Sequence, residues 1–148
     1  MKQRAGSAPF ESKADAFVRG EATLAVVSDK PFDEVALRLH ASIAANEMKM
    51  VQMHDLGRML EAAGAGLDVR CRVCEVVDRK LVRESMASDA NLAHVFPWRI
   101  AMHDEGGVIT VITPMPTVVL TEFSYAADVA RLAQRFQAKL QRVLQGLR

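Results

Sequence analysis

The chain reads as an α+β domain, a two-layer sandwich in which a sheet of about five strands carries helices on one face. Three observations predict it. Short apolar runs rich in β-branched residues recur along the chain, and stretches with apolar residues three and four apart lie between them. The resulting order, β-α-β-α-β-α-β-β-α, is neither strict β-α alternation nor segregated strands. Half of the 148 residues are apolar and a quarter charged, enough for one domain with a sizeable core.

Residues 1–15 are small and polar without a period, and are expected to form a mobile tail ahead of a single domain over 16–148. Ala22–Ser28 (Ala-Thr-Leu-Ala-Val-Val-Ser) predicts the first strand. Pro31 opens a helix whose apolar face is Phe32, Val35, Ala36, Leu39 and Ile43. Met48–His54 reads as a second strand. Asp55 can cap the short helix that follows, with Leu56, Met59, Leu60 and Ala63 inward and Gly64 ending it. Val69–Val77 predicts the third strand, and Asp78–Ala87 a helix with Leu81, Val82 and Met86 at helical spacing. Phe96–His103 and Val108–Thr113 flank Asp104-Glu-Gly-Gly107, a hairpin turn. The last helix, about Tyr125–Leu147, steps its apolar residues (Tyr125, Val129, Leu132, Phe136, Leu140, Val143, Leu147) by three and four.

The formal charge of +1 gives no reason to expect a polyanionic partner, and two cysteines do not make a disulfide framework. No run is long enough to span a membrane, and no apolar segment follows the basic start as in a secretory signal. A cytoplasmic setting is expected.

Two blocks carry a resemblance. Cys71-Arg-Val-Cys-Glu-Val-Val-Asp-Arg79 and Phe96-Pro-Trp-Arg-Ile100 are similar to the two signature blocks of the DUF302 family, small proteins without an assigned biochemistry. The resemblance covers about residues 20–122 and includes Gly64 and Asp89. It implies the same two-layer sandwich and a homodimer. Many relatives have cysteine at the positions of Val77 and Trp98. Were the two strands neighbours, those thiols could meet and bind a soft metal or form a disulfide. Here both are replaced, and Trp98 could fill the space or lid a pocket and stack on a flat ligand.

The chemistry-bearing residues argue mostly for structural roles. On a strand, Cys71 and Cys74 point to opposite faces, which disfavours a redox or zinc pair. His54-Asp55 and His103-Asp104 suggest a metal site only if their strands run side by side in one direction; capping and turn roles suit the aspartates better. Met48 and Met50 share a face while Met53 lies on the other, so a copper cluster is not expected. The terminal helix carries a stripe, Arg131, Arg135, Lys139 and Arg142. It could follow nucleic-acid phosphates, but a solvated face that complements the helix dipole is the commoner use.

These readings favour a non-enzymatic dimeric domain that binds a small ligand or a partner protein. The expected site is the crevice between Val77, Asp78 and Arg79 and Pro97, Trp98 and Arg99, with no catalytic residue, metal or cofactor. The alternatives are a metal or redox protein using His54, His103, Cys71 or Cys74, and nucleic-acid binding through the basic helix.

Overall fold

The computed structural model describes residues 17–19 and 22–148, so the expected tail over residues 1–15 lies outside the described residues. The elements are β1 (Phe17–Arg19), β2 (Thr23–Ser28), α1 (Phe32–Ala45), β3 (Lys49–Asp55), α2 (Leu56–Ala62), β4 (Arg70–Val77) and α3 (Arg79–Ser88). A 3-10 segment (Ala90–Val95), β5 (Trp98–Glu105), β6 (Val108–Pro114), α4 (Pro116–Phe123) and α5 (Ala127–Gln145) follow. The strands form one antiparallel sheet in the order β1-β2-β6-β5-β4-β3. The α+β class and the expected element order hold; β1 and α4 are additions. Among the described residues no helix is long and apolar enough to cross a membrane.

Alternation assigns the two faces of the sheet. Leu24 and Val26 of β2, Ile109 and Val111 of β6, Trp98, Ile100 and Met102 of β5, and Cys74 and Val76 of β4 are buried on one face. Against them packs α5, which also touches α1, α3 and α4. Val129, Leu132, Phe136, Leu140, Val143 and Leu147 are buried as the three-and-four spacing predicts, each contributing about 1.5–3 kcal/mol of apolar burial. Tyr125 departs from that pattern. It lies in the link between α4 and α5, ahead of the helix proper, and is fully exposed.

The close approach of α1 to α5 has a specific cause. The Ser42 hydroxyl donates to the Val143 carbonyl at 2.7 Å, and a side chain at Gly146 would meet Ser42 Oγ at 2.5 Å. Glycine lets the two backbones approach there.

Local chemistry explains the boundaries. Pro31 sits at the N-cap of α1, one residue before the helix proper. That helix ends in a paired-bond cap, Met48 N–H to Ile43 O and Glu47 N–H to Ala44 O, with Glu47 at φ 59, where glycine is usual. Asp55 caps α2 as expected, its Oδ1 accepting from Arg58 N at 3.0 Å, and Gly64 (φ 70) ends it. Yet α2 fully buries none of its residues; Leu56 and Leu60 are half-buried while Met59 and Ala63 are exposed, so the expected inward face is only partly formed among the described residues. On α3 the buried pair is Leu81 and Ser85, and Met86 is exposed. The β5–β6 turn places Gly106 and Gly107 at φ 63 and 88, and Asp104 Oδ1 accepts from Gly107 N at 2.8 Å.

A bulge in β3 changes one expectation. The pairing with β4 shifts between Met50 and Gln52, so Met50 lies opposite Val76 and Met53 opposite Cys74. The extra residue returns Met53 to the face of Met50.

Candidate functional site

The expected crevice is divided by the sheet. β4 and β5 are neighbours, but Val76, not Val77, faces Trp98, so the side chains of Val77 and Trp98 leave the sheet on opposite faces. Thiols at those two positions would not meet across the strands by simple pairing. Trp98 is only 3% exposed. Its ring packs edge-on to Phe136 at 5.2 Å, and its indole N–H donates to Thr113 Oγ1 at 2.8 Å. It fills the core, and no face of the indole is open for stacking on a ligand. Pro97 follows a cis peptide bond and is partly buried, whereas Arg99 is exposed on the far face beside Glu75.

Val77, Asp78 and Arg79 remain together and line a cleft of about 630 Å³. Its architecture follows from the β4–α3 turn. Asp78 leaves the strand and caps α3, Oδ1 accepting from Leu81 N at 3.1 Å. Its second oxygen accepts from Lys139 Nζ of α5 at 2.8 Å, with the two side chains only 10% and 19% exposed. One turn away Arg135 meets Glu84 at 2.8 Å. These two pairs pin α3 to α5. Leu81, Leu132 and Phe136 form an apolar floor beneath them, and Lys49 enters from β3, where it lies opposite Val77.

The charge is uneven. Lys49, Arg79, Lys80, Arg135, Lys139 and Arg142 face three carboxylates, those of Glu47, Asp78 and Glu84. Lys139 and Arg135 are matched as above, and Lys80 lies 3.9 Å from Glu84. Lys49, Arg79 and Arg142 make no ion pair among the described residues. The basic stripe of the terminal helix is therefore part pairing surface and part cleft wall. That stripe was visible in the sequence; its meeting with the β4–α3 turn depends on tertiary packing that spacing alone does not carry.

A second cleft, about 580 Å³, lies among α2, the start of β4 and the β5–β6 turn. Its cations are internally matched. Arg70 meets Asp33 at 3.1 Å, Arg72 lies 3.8 Å from Asp33 and from Asp55, and Arg58 lies 3.8 Å from Asp55. The guanidiniums of Arg70 and Arg72 cover the Phe32 ring at 4.2 and 5.2 Å, closing the one aromatic surface there.

The thiols point apart, as strand parity predicts. Cys74 is buried on the core side, with its Sγ 3.3 Å from the Ile100 carbonyl, while Cys71 lies opposite His103 on the far face. Burial pushes the Cys74 thiol up to about 11, and burial with the nearby Asp55 charge raises Cys71, so both are protonated and weakly nucleophilic at neutral pH. His54 and His103 share that far face with β4 between them, and His54 Nε2 lies 3.3 Å from Glu75 Oε1. Among the described residues no group of three or more histidine, cysteine or acidic side chains could hold a metal ion.

The fold and this cleft define a two-layer α+β domain with one face of its sheet under helices. The family described as "Domain of unknown function DUF302" matches residues 24–147, and the chain belongs to it. The fold is similar to that of a solved structure, an uncharacterized conserved DUF302 protein from Bacillus stearothermophilus. The likeness has a TM-score of 0.81 at 15% identity, over 85% of this chain and 98% of that one. No curated protein matches.

Proposed function

We propose that this chain is a non-enzymatic, small-ligand-binding domain that works as a homodimer in the cytoplasm. The observation that carries the ligand reading is the cleft at the β4–α3 turn, whose volume lies in the range of small-molecule sites. Val77, Asp78 and Arg79 stay in that site. Trp98 supports it from behind by packing on Phe136, whereas Pro97 and Arg99 fall outside it. The test is amide-shift mapping of the full chain with a fragment set holding anionic, neutral and cationic members. Shifts gathered at residues 77–81 and 132–142 support the reading. Shifts gathered around Gly57 and Arg70, or none, overturn it.

The homodimer rests on the family resemblance and on the far face of the sheet. There Val73, Ala101 and Ile112, all half-buried, lie side by side across three strands, and Val27 stands in the neighbouring row. An apolar row of this kind suits a self-complementary contact. Sedimentation of the wild type as a dimer, and of Ile112→Asp as a monomer, would support it; a wild-type monomer at micromolar concentration would overturn it. Two free thiols motivate the cytoplasmic setting.

A further inference from the structure

We infer that the ligand of the β4–α3 cleft is an amphipathic organic anion, a phosphate or polycarboxylate carried on an apolar body. This deepens the ligand-binding reading above and rests on it. Three features of the cleft converge on that class. Cations outnumber carboxylates two to one around its rim, and three of the cations (Lys49, Arg79 and Arg142) make no ion pair among the described residues. They come from three separate elements, β3, α3 and the end of α5, so no single helix face accounts for their grouping. The floor between them is apolar, made by Leu81, Leu132 and Phe136.

Ordinary surface cations need no ligand, but here folding brings like charges together around apolar surface. Grouping unmatched like charges costs free energy through their mutual repulsion, and an anion bound among them relieves that cost. The N-terminus of α3 is not the anion's seat, because the Asp78 carboxylate already occupies its Leu81 amide. The Asp78–Lys139 pair instead fixes the near wall. The anion is expected across from it, between Arg79 and Arg142, with Lys49 at the open edge. The other cleft makes a natural control, since Arg58, Arg70 and Arg72 each face a carboxylate.

The test compares charged and uncharged forms of one body on the full-length protein. Adenosine 5′-monophosphate is titrated against adenosine, and phenyl phosphate against phenol, with amide shifts as the readout. The expected result is at least about tenfold tighter binding of each phosphate, with shifts at Val77–Leu81 and on the cleft side of α5, weakening as salt rises. Arg79→Glu and Arg142→Glu, both exposed positions, should each weaken phosphate binding by about tenfold, while Arg58→Glu leaves it unchanged. If neither phosphate binds more tightly than its neutral counterpart, or both charge reversals leave binding intact, the anion class is overturned. The ligand-binding reading fails separately, when the fragment set of every charge leaves the cleft undisturbed.

Discussion

The Trp98 indole N–H donates to Thr113 Oγ1 at 2.8 Å, and that hydroxyl donates onward to the Arg99 carbonyl at 2.9 Å. The chain of bonds ties β5 to β6 within the core and satisfies the only polar atom of a buried indole. It decides the role of the residue that the sequence left open between filler and lid. Thr113→Val removes the acceptor while keeping the shape. Its expected cost is about 1–3 kcal/mol in chemical denaturation, because the indole N–H is then buried without a partner. Trp98 emission should be that of a buried indole and resist acrylamide quenching. Ready quenching in the native state would contradict the packing.

The α1–α5 contact makes Gly146 a steric test. Its φ is −67, which any residue adopts, so backbone conformation does not demand glycine; the Ser42 hydroxyl does. Gly146→Ala is expected to destabilise by about 1–3 kcal/mol through overpacking, and Ser42→Ala in the same background should recover part of it. A double-mutant cycle by denaturation measures the coupling.

Glu47 offers the opposite sign. It holds the left-handed position of a helix C-terminal cap, where a side chain is strained. Glu47→Gly should stabilise by about 0.5–1 kcal/mol, the relief of strain exceeding the entropy that glycine adds to the unfolded chain. It also removes one of the three carboxylates of the cleft, so binding of adenosine 5′-monophosphate should tighten.

Cys74 predicts an alkaline limb of stability. Its thiol is raised from 9.0 to about 11, chiefly by burial, so between those values the folded state binds more protons than the unfolded one. Stability from this group is full below pH 9 and is lost as pH rises toward 11, a change of order 2 kcal/mol. Denaturation at a series of pH values should show Cys74→Val losing less stability than the wild type across that window. Parallel curves would contradict the assignment.

Much of the fold was legible because its signals are local. The spacing from Val129 to Leu147, the Asp55 cap, the Gly64 stop and the Asp104–Gly107 turn each depend on a few adjacent residues, and each appears as read. The errors lie where tertiary contacts decide. The β3 bulge moves Met53 to the face of Met50, which a strict two-residue period cannot anticipate. The run after Pro114 is rich in β-branched residues, yet Pro116 opens α4. The candidate site was half legible. Val77, Asp78 and Arg79 line the cleft, but strand register turns Trp98 into the core, and the cleft's other wall comes from a stripe some sixty residues later (Lys139 meets Asp78 across 61 positions).

The central claim is that the cleft between the β4–α3 turn and α5 holds a ligand, and obstruction tests it most directly. Ala138 lies on its α5 wall, partly exposed, where a larger side chain can enter the cleft without displacing the core. Ala138→Trp is titrated with the fragment set and with adenosine 5′-monophosphate, its fold checked by circular dichroism and thermal unfolding. The expected result is a native fold with binding reduced by tenfold or more, of order 1.4 kcal/mol. A folded Ala138→Trp protein that binds as the wild type does would contradict the account.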